Sequence, residues 1–407
     1  MKILLVHNSY QERGGEDVVF EQERDLLQSA GHEVTQFRRS NDEVENYSGL
    51  QLFGRTIWSS ETYREFTHLL EAAKPDLVHV HNTFVMISPS LYYACVRKRV
   101  AVVQTLHNYR LVCPAATFFR DGQVCEDCLE GGLWNSVRHA CYRGSRLATA
   151  ATASMLAAHR CARTFLDKVD AFVALTQFSR RKFVAGGMPA EKIFVKPNFV
   201  SPDPGEREGE GEYALFAGRL SAEKGILTLL AAWRELGGRI PLCVVGDGPA
   251  RSDLESQLRA SCLPGVTFLG RIDRDRVLQV MKRARLLIFP SELYENFPLT
   301  IVEAFACGVP VLASRMGTMP EIVKEQHNGL LFEPGNGADL AAKVRQVWND
   351  SAALHRMGKN ARGDFLENYT AERNCRLLMD IYDRVVAARR ELFREALLPD
   401  FVSTTSS

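Results

Sequence analysis

Two cations stand five residues apart in the run GRLSAEKG at residues 218–225, where Arg219 and Lys224 follow an apolar stretch of strand character. A helical pattern is expected to start near Ser221 and run to Leu236. The start of a helix carries the positive end of its dipole, so a solvated cation there costs about 0.3–1 kcal/mol and acids are the usual occupants. A local rule broken twice in one turn points to a site. A bound phosphate reverses the sign, because free backbone amides, a guanidinium and an ammonium then converge on one anion. The plain alternative is that Glu223 and other surface acids neutralise both cations and Ser221 merely caps.

A second run, ENFPLTIVE at residues 295–303, places Glu295 and Glu303 around Asn296, Phe297, Pro298, Leu299 and Thr300. Pro298 suits a first helical turn, where a missing N–H is harmless. The helix beyond it puts Leu299, Val302 and Ala306 on one face and leaves Thr300 and Glu303 to turn elsewhere. Thr300 and the free amides of that turn could meet phosphate, Glu303 ribose hydroxyls and Glu295 the hydroxyls of a sugar. Alternatively, both acids simply favour the start of the helix. Arg13, Gly14 and Gly15 lie between the first strand and the first helix, where glycine lets backbone approach a diphosphate. The full dinucleotide fingerprint is absent, and a tight turn explains them equally. His107 follows the strand at 101–106, at the carboxyl end where open α/β sheets place ligand residues. Asp273 and Asp275 form an Asp-x-Asp that reads as a helix cap rather than a metal site.

Cys113, Cys125, Cys128 and Cys141 are a central Cys-x2-Cys with one cysteine on either side. In a reducing compartment such a set can hold a tetrahedral structural zinc, with His107 or His139 able to replace a cysteine; free thiols are the other reading. The surrounding insertion, 111–145, looks too irregular to fold by packing alone, and metal binding would order it.

These residues need elements to position them. Short β-branched runs at 2–6, 32–37, 76–80, 101–106, 171–175 and 193–195 alternate with helical patterns, the first of them from Glu16 to Ala30. The series implies a first α/β domain at 1–198. A polar, acidic Gly/Pro stretch at 199–212 reads as a linker. Strands at 213–217, 241–245, 266–269, 286–289 and 309–312 form a second domain, 213–371, and a last helix, 372–397, is long enough to pack back on the first. Two doubly wound sheets joined this way face each other across a cleft. The balance of 50 Lys+Arg against 49 Asp+Glu excludes the broad basic field of a nucleic-acid binder. The N-terminal apolar run is too short for a signal peptide and no run reaches membrane-spanning length, so a cytoplasmic protein is expected.

Together the segments resemble the family-4 glycosyltransferases, with their GT-B fold of two Rossmann-like domains, over nearly the whole chain. The resemblance implies that Arg219 and Lys224 stabilise a nucleoside diphosphate leaving group and Glu303 holds the donor ribose. It implies that Glu295 and the 296–298 backbone hold the donor sugar, Gly15 meets the diphosphate and His107 lies beside the sugar. It further implies retention of anomeric configuration, transfer without a metal cofactor, and a sugar or lipid-linked acceptor in surface polysaccharide or glycolipid synthesis, with peripheral membrane contact. The family often has Gly and an acid after Pro197-Asn198, where this chain has Phe199-Val200, so Asn198 receives no role. Rival readings are a sugar-nucleotide epimerase on the same fold, a glycoside hydrolase using both glutamates, and a non-catalytic nucleotide-sugar binding module.

Overall fold

The computed structural model describes residues 1–12, 14–260 and 265–395. Arg13 and the expected helix end at 396–397 lie outside the described residues.

Strands β1 (Lys2–Ser9), β2 (Glu33–Ser40), β3 (Leu77–Val80) and β4 (Ala101–Thr105) precede a small antiparallel hairpin of β5 (Phe119–Arg120) and β6 (Gln123–Val124). β7 (Ala171–Ala174) and β8 (Ile193–Val195) complete the first sheet, parallel throughout in the order β2-β1-β3-β4-β7-β8. The second sheet comprises β9 (Tyr213–Ala217), β10 (Leu242–Val245), β11 (Val266–Gly270), β12 (Ala284–Phe289), β13 (Val311–Ser314) and β14 (Gly329–Phe332). Its order, β11-β10-β9-β12-β13-β14, is also parallel. Strand order reverses between β1 and β3 in the first sheet and between β9 and β12 in the second. Ligands of open α/β sheets bind outside the carboxyl ends of strands at such reversals. The segments after β9 and β12 are those that carry Arg219, Lys224 and Glu295.

Every expected strand is present. The hairpin and β14 are additional: β14 is a four-residue apolar run whose periodicity distinguishes nothing.

The first sheet is closed on one face by the C-terminal helix, Ala371–Glu395. Its Leu378, Ile381, Tyr382, Val385 and Val386 follow helical spacing and share one buried cluster with Ile3, Leu5, Leu77, Val103 and Val173. The connecting segment differs from a solvated tether. Phe199 and Val200 are buried, and Val200 belongs to the core of the second sheet and donates its N–H to Tyr369 O at 3.2 Å. Arg207 donates to Ala284 O at 2.6 Å, and Asp203 accepts two 2.7 Å bonds from Arg362. Charged residues that suggest a floppy linker by composition are therefore partners of fixed groups on the second sheet.

Candidate functional site

A cleft of about 1020 Å³ opens between the two sheets, lined from both sides. After β9 the chain passes through Arg219 into a single 3-10 turn, Ala222–Lys224, and only then into the helix Ile226–Glu235. The helix thus begins five residues later than the pattern suggests. Ser221 does not cap it and instead donates its hydroxyl to Glu223 Oε1 at 2.6 Å. The interruption comes from Gly225, at φ +71°, where a Cβ would lie 1.8 Å from Pro290 O. Only glycine allows the lysine-bearing turn to press against the loop after β12. Glu292 N donates to Glu223 O at 2.9 Å across that contact.

This approach brings Lys224 and Glu295 together. Lys224 Nζ lies 2.5 Å from Glu295 Oε1, which also accepts from Ser291 Oγ at 2.8 Å. Arg219 is exposed in the cleft, and among the described residues no carboxylate pairs with it. The loop continues with Asn296, which is buried and donates from its side-chain amide to Leu106 O at the end of the first sheet's β4, so the loop after β12 touches the segment bearing His107. Pro298 caps the helix Leu299–Ala306 from just outside it rather than within its first turn. Gly14, Gly15, Asn296, Phe297, Pro298, Leu299 and Thr300 all line the cleft. A Cβ on Gly15 would meet Leu299 Cδ1 at 3.9 Å, so the glycine turn and the helix start face each other closely. That turn is braced by Asp17, which accepts from Gly14 N at 2.8 Å and lies 2.9 Å from His7 Nε2.

Glu303 is placed differently. It does not line the cleft but pairs with Arg274 at 3.1 Å, and burial raises its carboxyl above the usual range despite that partner. Arg274 also donates to Ser201 O at 3.2 Å. Asp273 accepts from Arg276 N at 2.9 Å as an N-cap, so the Asp-x-Asp is a capping element.

His107 lines the cleft, and its Nε2 sits 2.9 Å from His81 Nδ1. Burial, then the neighbouring His81, holds its pKa well below the ordinary value, so the ring is neutral. Glu16, next to Gly15, also faces the cleft. Burial first and Asp17 second push its carboxyl up to about 8, while Tyr10 Oη and Asn108 Nδ2 each donate to its Oε2 at 3.3 Å. Its position beside the glycines was the available signal, masked because an acid in a first helical turn needs no special explanation.

The four insertion cysteines are neighbours: burial, then Cys113, Cys141 and Cys125, raise the Cys128 thiol to about 11. They are not drawn into one metal-sized cluster. Among the described residues the set of three metal-type side chains with donor atoms within 4.8 Å is Glu23, His79 and His81. His107 is engaged with His81. The insertion also packs better than its composition suggests, since Val112, Cys113 and Phe118 are buried in the first sheet's core and Lys182 binds Glu126 at 2.6 Å.

Comparison with known proteins matches residues 14–198 to the glycosyl transferase 4-like domain and residues 201–364 to glycosyl transferases group 1. The chain belongs to the group 1 glycosyltransferases. An uncharacterised glycosyltransferase of Methanocaldococcus jannaschii is 24% identical over 94% of this chain and 98% of its own. A second from that organism is 30% identical over 48% of this chain, and the match spans 54% of that relative's length. The sulfoquinovosyl transferase of Arabidopsis thaliana is 27% identical over 71% of this chain and 53% of its own. Among solved structures, sucrose-phosphate synthase from Thermosynechococcus elongatus superposes with a TM-score of 0.70 at 20% identity, covering 95% of this chain and 99% of that one. Anabaena HepE in complex with UDP-glucose gives 0.65 at 18% identity, covering 96% and 100%. These likenesses establish the GT-B fold for this glycosyltransferase. Among its described residues no helix is long and apolar enough to cross a membrane.

Proposed function

We propose that this glycosyltransferase moves a hexosyl group from a nucleotide-sugar donor to an acceptor hydroxyl with retention of configuration and without a catalytic metal. The observation that carries this reading is that Arg219, exposed and without a carboxylate partner among the described residues, and Lys224, paired with Glu295, line one cleft at the reversal point of the second sheet. Charge grows on the diphosphate as the glycosidic bond breaks, and two fixed cations aimed there lower the barrier without reorganising solvent. Gly15 N–H and the start of the Leu299 helix would meet the same diphosphate from across the cleft. Glu295, a hydrogen-bond acceptor, suits sugar hydroxyls. His107 lies on the acceptor-side sheet and would flank the sugar. Glu303 reaches ribose only if Arg274 gives way. A hydrolase mechanism based on the two glutamates is disfavoured, since Glu295 is held by Lys224 and Glu303 by Arg274 outside the cleft.

The relatives include an O-antigen chain mannosyltransferase of Escherichia coli and the plant sulfoquinovosyl transferase, which favours a surface polysaccharide or glycolipid product here. Exposed Arg138, Arg143 and Arg146 lie in the same segment as Trp134, 73% exposed, and Leu147, 85% exposed, a combination suited to peripheral contact with the cytoplasmic face of a membrane. The four cysteines would hold a structural zinc only if their sulfurs came closer than they lie here. The function is tested by diphosphate release across a panel of UDP-, GDP- and ADP-sugars with and without acceptors. Acceptor-dependent release with an axial product from an axial donor supports the proposal. Product formation without acceptor indicates an epimerase, and binding without any release a non-catalytic module.

A further inference from the structure

Behind His107 a chain of buried polar groups runs away from the cleft into the first sheet. His81 Nδ1 is 2.9 Å from His107 Nε2, and His81 Nε2 is 3.2 Å from Glu23 Oε1. Both of those latter atoms are buried and neither has an aligned hydrogen-bond partner, so their 3.2 Å approach is a charge contact. Glu23 Oε1 is also 2.9 Å from His79 Nδ1, whose ring is held by Thr105 Oγ1 at 2.8 Å and by the hydroxyl of Tyr382 on the C-terminal helix at 2.6 Å. The second carboxylate oxygen binds Lys196 Nζ at 3.0 Å, and Lys196 in turn donates to Asn374 Oδ1 at 2.9 Å. His79, His81, Glu23 and Lys196 are each almost wholly buried. The set of Glu23, His79 and His81 has metal-ligand composition, but the ammonium of Lys196 already supplies the positive charge a cation would bring.

The protons in this chain follow from one fixed point. Burial alone would raise the Glu23 carboxyl, but Lys196 and His79 outweigh it and keep the group ionised. A bare ring nitrogen 3.2 Å from an ionised carboxylate is repelled by it, whereas an N–H there is attracted, so His81 carries its proton on Nε2 and leaves Nδ1 bare. A bare His81 Nδ1 in turn requires His107 to carry its proton on Nε2 and to leave its own Nδ1 as an acceptor. Both rings are neutral: burial brings His81 down to about 4 and holds His107 well below its ordinary range.

We propose that Glu23, though it never reaches the cleft, is a positioning residue that acts through His81 to fix His107 in the Nε2–H tautomer, so that His107 can accept a hydrogen bond from a sugar hydroxyl but offers no positive charge to phosphate. The proposal rests on the reading that His107 flanks the transferred sugar, and it deepens that reading by setting the chemistry of the contact. Division of labour in the cleft follows. The phosphate-seeking charge is confined to Arg219 and Lys224, and the first sheet contributes a neutral acceptor to the sugar.

The direct test is long-range 1H–15N correlation NMR on the full chain with 15N-labelled histidine, with His107 assigned by its loss in His107→Ala. The expected spectrum places His107 in the Nε2–H form from pH 6 to 8, and a protonated ring or an Nδ1–H form overturns the proposal independently of any activity. Glu23→Gln alone leaves Lys196 as an unpaired buried charge, so the variant used is Glu23→Gln with Lys196→Met. It should give a mixed tautomer signal and lower kcat/KM for the donor about tenfold, as expected when the group that orients a working histidine is removed. In a His107→Ala background the same double change should cost less than twofold. An equal loss in both backgrounds, with unchanged His107 signals, shows Glu23 to be structural only. If no donor is turned over at all, the functional reading fails while the spectrum still decides the tautomer.

Discussion

The Lys224–Glu295 pair makes a prediction that separates two kinds of binding. Glu295 neutralises the cation expected to grip the diphosphate, so Glu295→Gln should release Lys224 toward phosphate. The side chains are 27% and 13% exposed, between a surface pair and a buried one. Exposed ion pairs contribute about 0.2–1 kcal/mol, and the tight 2.5 Å contact with Ser291 support puts this one near about 1 kcal/mol. Removing that competition should tighten binding of the bare nucleoside diphosphate about fivefold at low salt, with the gain shrinking as ionic strength rises. The nucleotide sugar should behave oppositely. A hydrogen bond from a sugar hydroxyl to a charged acceptor is worth about 1.5–3 kcal/mol, and with the ~1 kcal/mol released at Lys224 set against it, kcat/KM should fall by roughly 2- to 30-fold. Isothermal calorimetry with diphosphate and diphosphate sugar, alongside steady-state transfer assays, reads both effects. If the variant binds bare diphosphate more weakly or with unchanged affinity, Glu295 is orienting Lys224 for phosphate rather than competing for it, and the reasoning is refuted.

Arg219→Ala should lower transfer about 100-fold or more while leaving the melting temperature unchanged, because the guanidinium is exposed and pairs with no carboxylate among the described residues; near-normal turnover would remove it from the mechanism. If Arg274 gives way and Glu303 reaches ribose, Glu303→Gln should weaken the bare nucleoside diphosphate and the nucleotide sugar alike, by calorimetry; unchanged affinity for both would leave it as the structural partner of Arg274. The Glu16 carboxyl sits at about 8 against an ordinary 4.5, so between those values the native protein keeps a proton that the unfolded chain has lost, and stability falls as pH rises through that window. Glu16→Gln should therefore match the wild type near pH 4.5 and melt at least about 2 °C higher at pH 9, by differential scanning fluorimetry; equal melting at both pH values would contradict the shift. Metal analysis after purification under reducing conditions decides between a structural zinc and free thiols at Cys113, Cys125, Cys128 and Cys141: about one zinc per chain, lost in Cys125→Ser, marks the first, and no more than a trace marks the second.

All strands of the two sheets except β14 were legible because they are short apolar, mostly β-branched runs flanked by turn residues, and parallel sheets bury both faces of such runs; β14, Gly329–Phe332, lacks a β-branched residue. Arg219 and Lys224 were legible for a different reason: cations at a helix start violate a local rule, and the violation shows in eight consecutive residues. Partnership was not legible. Nothing near Lys224 in sequence indicates that its nearest carboxylate is Glu295, because the contact depends on Gly225 fitting under Pro290 O from another loop. The same holds for Glu303, whose spacing from Glu295 suggests a shared site although Arg274 draws it elsewhere.

Glu23 carries this argument furthest. In sequence it is one acid among several on an amphipathic helix, where a solvated position is the ordinary expectation. Its burial follows from a long-range arrangement: His79 and His81 alternate along β3 and its end, Lys196 follows β8, and Tyr382 and Asn374 arrive on the C-terminal helix. Four distant segments must meet before the carboxylate has partners enough to stay charged inside the protein. A buried charge deprived of one such partner costs about 3–5 kcal/mol. The C-terminal helix is thus tied to the cleft by more than its apolar stripe, since it braces, through Tyr382 and Asn374, the residues on which the protonation of His107 depends. Tyr382→Phe keeps the apolar contacts and removes only the hydroxyl on His79. It should leave folding cooperative while loosening the orientation of His79, and a His107 tautomer signal identical to wild type would show that this brace stops at His79.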